Sequence, residues 1–362
     1  MAIVGINGMG VLGRRLLRMI FDENQSVGKY TFDIGLINDP YITPEQLKYL
    51  YNHDTVYGKP KYPIQSITDN GDGTYKITIN GKDINYTEVP YNATDRWGNI
   101  EWGKNSCDYV IDCTGKYATD SDQESHRNAG ASYVIYCQAG ATIGNTVAHY
   151  VWGVNGQNAD KTYQIWECPN GDTIATSIAL YYLDDMFHIE SALCEHIVSY
   201  TNLNNLQDSA LSTTEMQIGR AGAWNIIPLK SGAAKSIGLI IPQLNGKAAG
   251  FAHRCGTIAG SHTDVFANLS NGFDAENFYL YVKSHATDGT INGAYTASEP
   301  CISYSDDPLE VSSDVIGVPA VMFNENNYTI NSTLFVRIGV AYDAISIQAA
   351  NAMLMCAQAM SL

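Results

Sequence analysis

The first residues whose types and spacing could do chemistry are Gly8, Gly10 and Gly13. They lie between the apolar run Ile3-Val4-Gly5-Ile6-Asn7 and a helical pattern carried by Leu16, Leu17 and Ile20. Glycines at such a turn let backbone approach a pyrophosphate closely, and the helix start offers unpaired N–H groups and a positive dipole end. The next apolar run, Phe32-Asp33-Ile34-Gly35-Leu36-Ile37-Asn38, stops at Asp39. A dinucleotide-binding fold places its ribose-holding carboxylate there, after the second strand. A third run, Tyr109-Val110-Ile111-Asp112, ends in Cys113-Thr114-Gly115. A strand that closes this way at the carboxyl edge of a parallel sheet commonly faces a ligand. The alternative is a strand–helix–strand unit whose glycines serve packing alone, and Asp39 argues against it. The eight cysteines show no C-x-x-C spacing, so neither a zinc site nor a disulfide framework is indicated and reduced, buried thiols are expected.

Elements that could carry these residues follow in order. Thr43 caps a helix with Pro44 at its first position and Leu47 and Leu50 turned inward. Asn70-Gly71-Asp72-Gly73 and Asn80-Gly81 predict two hairpin turns, an antiparallel excursion. A polar helix over 121–128 and a strand over 132–137 resume the parallel pattern. A strand over 163–167 closes the first domain. From Asp172 a helix runs through Ile174, Ile178, Leu180 and Leu183, and longer strands follow over 191–200, 250–259, 262–269 and 335–340. The fold class is α/β: an N-terminal Rossmann dinucleotide-binding domain over 1–165, completed by a C-terminal helix over 345–362, and an α+β domain with an antiparallel sheet over 166–344.

The chain of 362 residues is long enough for two domains. Its net charge of -16 argues against binding nucleic acid or an anionic membrane, which both need clustered Lys and Arg. No apolar run reaches bilayer length and no charged leader precedes the first strand, so membrane insertion is not expected and an intracellular, cytoplasmic location is. Charged residues make up only 16%, while Tyr counts 24. If exposed, Tyr suits wide protein contacts, because it gives large area at low entropy cost.

One long run carries a resemblance. Gly219-Arg220-Ala221-Gly222-Ala223-Trp224-Asn225-Ile226-Ile227-Pro228, then Gly232-Ala233-Ala234-Lys235, then Pro242-Gln243-Leu244-Asn245-Gly246-Lys247 resembles the phosphorylating glyceraldehyde-3-phosphate dehydrogenase family. Ile6-Asn7-Gly8-Met9-Gly10, Asn38-Asp39-Pro40-Tyr41, Cys113-Thr114-Gly115, Gly153-Val154-Asn155 and Tyr342-Asp343 are similar to that family in order and spacing, so the likeness covers nearly the whole chain.

The family's chemistry needs a thiolate at a helix start, where the dipole lowers its pKa, and a histidine beside it as base. Counting without gaps from Asp185-x-Phe187-x-Ile189 puts the nucleophile position on Gly171 and the base position on Val198. The family's asparagine for the nicotinamide amide follows Tyr-Asp, and here Tyr342-Asp343 is followed by Ala344. The resemblance therefore implies a divergent member lacking the catalytic Cys and His. It assigns cofactor contacts to Asn7, Gly8, Gly10, Val11, Leu12, Asp39, Tyr41, Thr114, Gly115 and Cys137, with Val11-Leu12 departing from the family's Arg-Ile. It assigns vestigial phosphate contacts to Thr201, Ser231 and Arg254, and places Arg220 in a loop that reaches a neighbouring subunit.

The expected function is a catalytically inactive pseudoenzyme with a structural or assembly role, as a tetramer-like homo-oligomer or a subunit of a larger assembly, with NAD as a ligand it could still hold. Two alternatives stay open. One is an active NAD-dependent aldehyde oxidoreductase whose site has slid to Cys168 and His196, although a slide along a strand moves a group by about 3.3 Å per residue. The other is an NAD-sensing protein with an intact adenosine half.

Overall fold

The apolar runs that bracket the Gly8 turn become the middle of a parallel sheet because both their faces are covered, the usual condition for unbroken apolar strands. The computed structural model describes residues 2–22, 26–27, 30–117, 119–138, 147–210, 215–287, 322–324 and 334–361. Two units are distinguished. The first contains β1 (Ala2–Asn7), α1 (Val11–Asp22), β2 (Ser26–Val27), β3 (Tyr30–Asn38), α2 (Pro44–Asn52), β4 (Ile64–Asp69), β5 (Thr74–Ile79) and β6 (Lys82–Thr87). It continues with β7 (Tyr109–Asp112), α3 (Asp120–Asn128), β8 (Tyr133–Cys137), β9 (Val147–His149) and β10 (Ile165–Cys168).

The sheet runs β4-β5-β6-β3-β1-β7-β8-β10-β9, with β2 paired to β3. Strands β6, β3, β1, β7, β8, β10 and β9 are mutually parallel, so the chain reverses its winding between β1 and β7. Ligands of open α/β sheets bind at the carboxyl ends of strands beside such a reversal. Helix α1 turns Leu16, Leu17 and Ile20 inward, each worth about 1.5–3 kcal/mol of apolar burial. Helix α2 has the expected start, a Thr43–Gln46 capping box with Pro44 at its first position. Leu47 is buried but Leu50 is exposed, so only one of the two expected core leucines reaches the core. The predicted hairpins form: Asn80 and Gly81 both take positive φ, as a two-residue turn between antiparallel strands requires.

The second unit contains α4 (Gly171–Phe187), β11 (Ile189–Ser199), β12 (Ile227–Lys230), α5 (Ala233–Ile240), β13 (Ala248–Cys255), β14 (Ser261–Leu269), α6 (Ala275–Thr287), β15 (Met322–Asn324) and β16 (Phe335–Tyr342). Its six strands lie in the order β12-β13-β11-β14-β16-β15. The pairing is antiparallel except between β11 and β13, which run parallel, so the sheet is mixed rather than wholly antiparallel. A parallel pair needs a crossover, and the chain between β11 and β13, which includes α5, supplies it. Strands β12 and β15 are edge strands that sequence pattern alone did not indicate, and Pro228 is tolerated in β12 because it lies at an edge.

Helix α4 packs on β11, β14 and β16. Helix α7 (Ala344–Ser361) starts in the second unit and from Gln348 onward belongs to the first. In the first unit its Asn351 donates to the Tyr150 carbonyl at 3.1 Å. Among the described residues no helix is long and apolar enough to cross a membrane.

Candidate functional site

The glycine turn of the first unit is built as its spacing implies. Gly8 has φ +93°, and a Cβ there would sit 3.0 Å from the Thr114 nitrogen. A Cβ on Gly13 would meet the Gly8 oxygen at 2.0 Å, so this glycine seats α1 against the turn. A Cβ on Gly10 meets nothing within 4 Å, which leaves open space above the helix start. Val11 is 46% exposed beside it, while the Leu12 side chain is buried.

Asp39 is buried at the end of β3, and its carboxylate is heavily used. Its Oδ2 accepts from the Met9 nitrogen at 2.6 Å, and its Oδ1 from the Tyr41 and Ile42 nitrogens at 2.8 and 3.1 Å. A carboxylate offers about four lone-pair sites, so one acceptor position is left for a hydroxyl. Asn7 is wholly buried; its Oδ1 accepts from Asn38 at 2.9 Å, while its Nδ2 has no partner. Tyr41 stands 69% exposed after Asp39, with the Lys116 ammonium 5.8 Å from its ring centre. Tyr117, which sequence reasoning missed, has its pKa raised by the neighbouring Tyr41 hydroxyl.

Thr114 and Gly115 follow β7. The Thr114 nitrogen donates to Asp112 Oδ1 at 2.8 Å, and Gly115 has φ +63° with open space around it. Asp112 is held from behind. Its Oδ2 accepts from Gln123 at 3.2 Å and faces His126 Nε2 at 3.5 Å, and Trp102 donates to His126 Nδ1 at 3.0 Å. Cys137, which the resemblance assigns as a cofactor contact, ends β8 with its side chain 3% exposed.

In the second unit, Gly171 opens α4. A Cβ there would lie 2.3 Å from the Ala344 oxygen and 2.5 and 2.7 Å from its Cα and carbonyl carbon. The Asn170 side chain caps the helix, accepting from the Thr173 nitrogen at 2.9 Å and its hydroxyl at 2.6 Å. Asp172 adds a carboxylate to the first turn, so the positive end of the helix already has its anion. Val198 is buried on β11, in register with Arg254 of β13.

A buried chain of hydrogen bonds, which the sequence did not reveal, fills this region. Tyr342 donates its hydroxyl proton to Asp172 Oδ1 at 2.9 Å. Thr263 Oγ1 lies 3.0 Å from that hydroxyl, and His196 Nδ1 lies 2.9 Å from Thr263 Oγ1. Since Tyr342 spends its proton on Asp172, Thr263 donates to Tyr342 and His196 Nδ1–H donates to Thr263. That assigns the Nδ1–H tautomer and leaves Nε2 bare, buried and without a partner. Burial lowers the His196 pKa, partly opposed by Asp172. Burial also raises the Tyr342 pKa, with Asp172 adding to it.

The remaining predicted residues serve the local backbone. Arg254 donates to the Ser199 carbonyl at 2.5 Å, the Ser231 hydroxyl accepts from the Ala233 nitrogen at 3.2 Å, and the Thr201 nitrogen donates to Asn204 Oδ1 at 3.2 Å. All three are half-buried and within reach of solvent. Arg220 pairs with Asp208 at 3.0 Å on an open surface. Cys168 and His196 are each wholly buried. In the first unit the Cys168 sulfur lies 3.2 Å from Asn351 Nδ2 and 3.5 Å from the Gln348 carbonyl. Among the described residues no group of three or more His, Cys, Asp or Glu could hold a metal ion.

Family comparison agrees with the two-part architecture. The model of the glyceraldehyde 3-phosphate dehydrogenase NAD binding domain matches residues 2–120, and that of the C-terminal domain matches residues 172–344. The chain is 31% identical over 318 residues to the glyceraldehyde-3-phosphate dehydrogenase of Neurospora crassa, covering 88% of this chain and 85% of that one. It is 30% identical over 328 residues to that of Schistosoma mansoni, with 90% of each chain covered. It is 30% identical over 316 residues to that of Streptococcus pyogenes serotype M1, covering 87% and 84%.

Two outcomes follow from the buried chain and its neighbour. Gly171→Ala should lower stability by about 1–3 kcal/mol in denaturant titrations, the usual cost of overpacking against backbone that cannot step aside. Below about pH 6.5 the unfolded chain takes up a proton that buried His196 refuses, so stability falls as pH drops, by at most about 1.4 kcal/mol per pH unit from this group. His196→Gln should flatten that slope; an unchanged slope would place its origin elsewhere.

Proposed function

The chain belongs to the glyceraldehyde-3-phosphate dehydrogenase family, and we propose that within it this protein is a pseudoenzyme, kept for its surface and its nucleotide pocket rather than for turnover. The observation that carries this reading is the contact at Gly171. The residue that would bear the nucleophile has no side chain, and the Ala344 backbone occupies the volume a Cβ would need. The other requirements fail for separate reasons. Asn170 takes up the Thr173 N–H and the Asp172 carboxylate stands in the first turn, where the helix dipole would stabilise a thiolate. The base position is the aliphatic Val198, and the nearest histidine on the strand, His196, has Nδ1 committed to Thr263 and a pKa moved away from the charged form.

The dinucleotide turn fits a cofactor better than the catalytic region fits a reaction. Open space at Gly10, the unpartnered Asn7 amide and the one spare acceptor of Asp39 would receive pyrophosphate and ribose, with the Tyr41 ring for the adenine. NAD in such a pocket would supply a hydride acceptor, but among the described residues no group is placed to generate the hydride donor. Bound NAD is then a structural or sensed ligand.

Exposed apolar side chains support a role in assembly. Leu193, Ile197 and Phe251 are 44%, 37% and 37% exposed on one face of the mixed sheet, and Trp224 and Ile226 are 90% and 75% exposed after β11 and before β12. Patches of this kind mark interaction sites. A homo-oligomer, free or within a larger particle, is the form this surface favours.

Size-exclusion chromatography of native lysate, with mass spectrometry of the co-eluting chains, tests the assembly role: elution above monomer mass supports it, and a stable monomer contradicts it. Calorimetry tests the pocket. Asp39→Ala should weaken NAD binding by about 1.5 kcal/mol, the low end for a hydrogen bond to a charged group, because backbone donors already hold most of the carboxylate. Equal affinity in the variant would remove Asp39 from the site.

A further inference from the structure

We propose that the thiols of Cys113, Cys137 and Cys168 form a binding site for one soft, two-coordinate d10 cation of the Cu(I) type. The three lie in a row across adjacent parallel strands. Cys168 of β10 is in direct register with Cys137 of β8. Asp112 of β7 is in register with Tyr136, which brings Cys113, the next residue, beside Cys137. The row is 8%, 3% and 0% exposed in the order Cys113, Cys137, Cys168. It was visible in the sequence only as three scattered cysteines, and the nucleotide reading uses none of the thiols.

Geometry selects the ligand. A linear sulfur–metal–sulfur unit with bonds of about 2.3 Å spans about 4.6 Å, and neighbouring strands are about 4.8 Å apart. Thiols on in-register neighbours therefore stand at the right separation to share one ion. A disulfide between them needs Cβ atoms about 3.5–4.5 Å apart, closer than the strand spacing. The outer two thiols are two strands apart, about 9.6 Å, so no ion reaches all three. That agrees with the lack, among the described residues, of any three-ligand cluster, and it rules out tetrahedral zinc at this row. An all-thiolate, two-coordinate, buried pair is what soft monovalent d10 ions prefer over hard or borderline ones.

Cys137 is common to both possible pairs. Cys168 is the better second ligand, because Asn351 Nδ2, 3.2 Å from its sulfur, offsets the charge of a thiolate there. Cys113, the most exposed of the three and next to the open Thr114-Gly115 turn, is the point of entry. Binding breaks two S–H bonds, forms two metal–sulfur bonds and releases two protons to solvent. The ion arrives and stays as Cu(I), so nothing is oxidised or reduced.

The test uses the reduced full chain under anaerobic conditions, with Cu(I) supplied as its acetonitrile complex in competition with bicinchoninate. The wild type should hold one equivalent. Cys137→Ser should weaken binding at least a hundredfold, and Cys255→Ser, which changes a partly exposed thiol in the other unit, should leave it unchanged. Equal retention by Cys137→Ser, loss in Cys255→Ser, or no retention by the wild type overturns the proposal. Should Cys137→Ser fail to fold by circular dichroism, X-ray absorption of the loaded wild type decides: two sulfur neighbours support the site, and three or more neighbours or any nitrogen or oxygen neighbour overturn it.

Discussion

Ala344 backbone stands 2.3–2.7 Å from where any Cβ on residue 171 would be, and much of the second unit is arranged around that contact. Backbone cannot rotate out of the way as a side chain can, so glycine is the residue this packing admits. The close approach brings the end of β16 against the first turn of α4, which lets Tyr342 reach Asp172. Thr263 and His196 then extend the polar chain inward on β14 and β11. The region around Gly171 is thus filled by backbone and by a closed, directed set of hydrogen bonds.

The first unit is organised around its glycine turn. Its turn depends on Gly8, which accepts a positive φ and the close passage of Thr114, and on Gly13, which accepts the Gly8 carbonyl. Asp39 braces the same turn through Met9, Tyr41 and Ile42. The carboxylate that a ribose would use is therefore also a structural brace of the turn. Asp112 plays a comparable part for Thr114, with Gln123, His126 and Trp102 behind it.

What could be read from the sequence was local. The glycine turn, the Thr43 cap, the hairpins at Asn70–Gly73 and Asn80–Gly81, and the strand-ending acid all depend on residues close together in the chain, so their chemistry shows in the order of letters. The identity of residue 171 was legible by counting, but the reason it is glycine lies 173 residues away at Ala344. His196, Thr263 and Tyr342 meet across separations of 67 and 79 residues, and the thiol row depends on strand register. The parallel pairing of β11 with β13 was likewise hidden, because each strand's pattern is the same whichever way its neighbour runs.

The most direct test of the account is a rapid-mixing experiment. Reduced protein is combined with NAD, phosphate and glyceraldehyde 3-phosphate, and NADH absorbance is followed through the first turnover. A closed Gly171 region predicts no NADH above the enzyme-free control. A burst approaching one NADH per chain would mean that a thiol of this protein does reach the aldehyde, and the pseudoenzyme reading would be wrong.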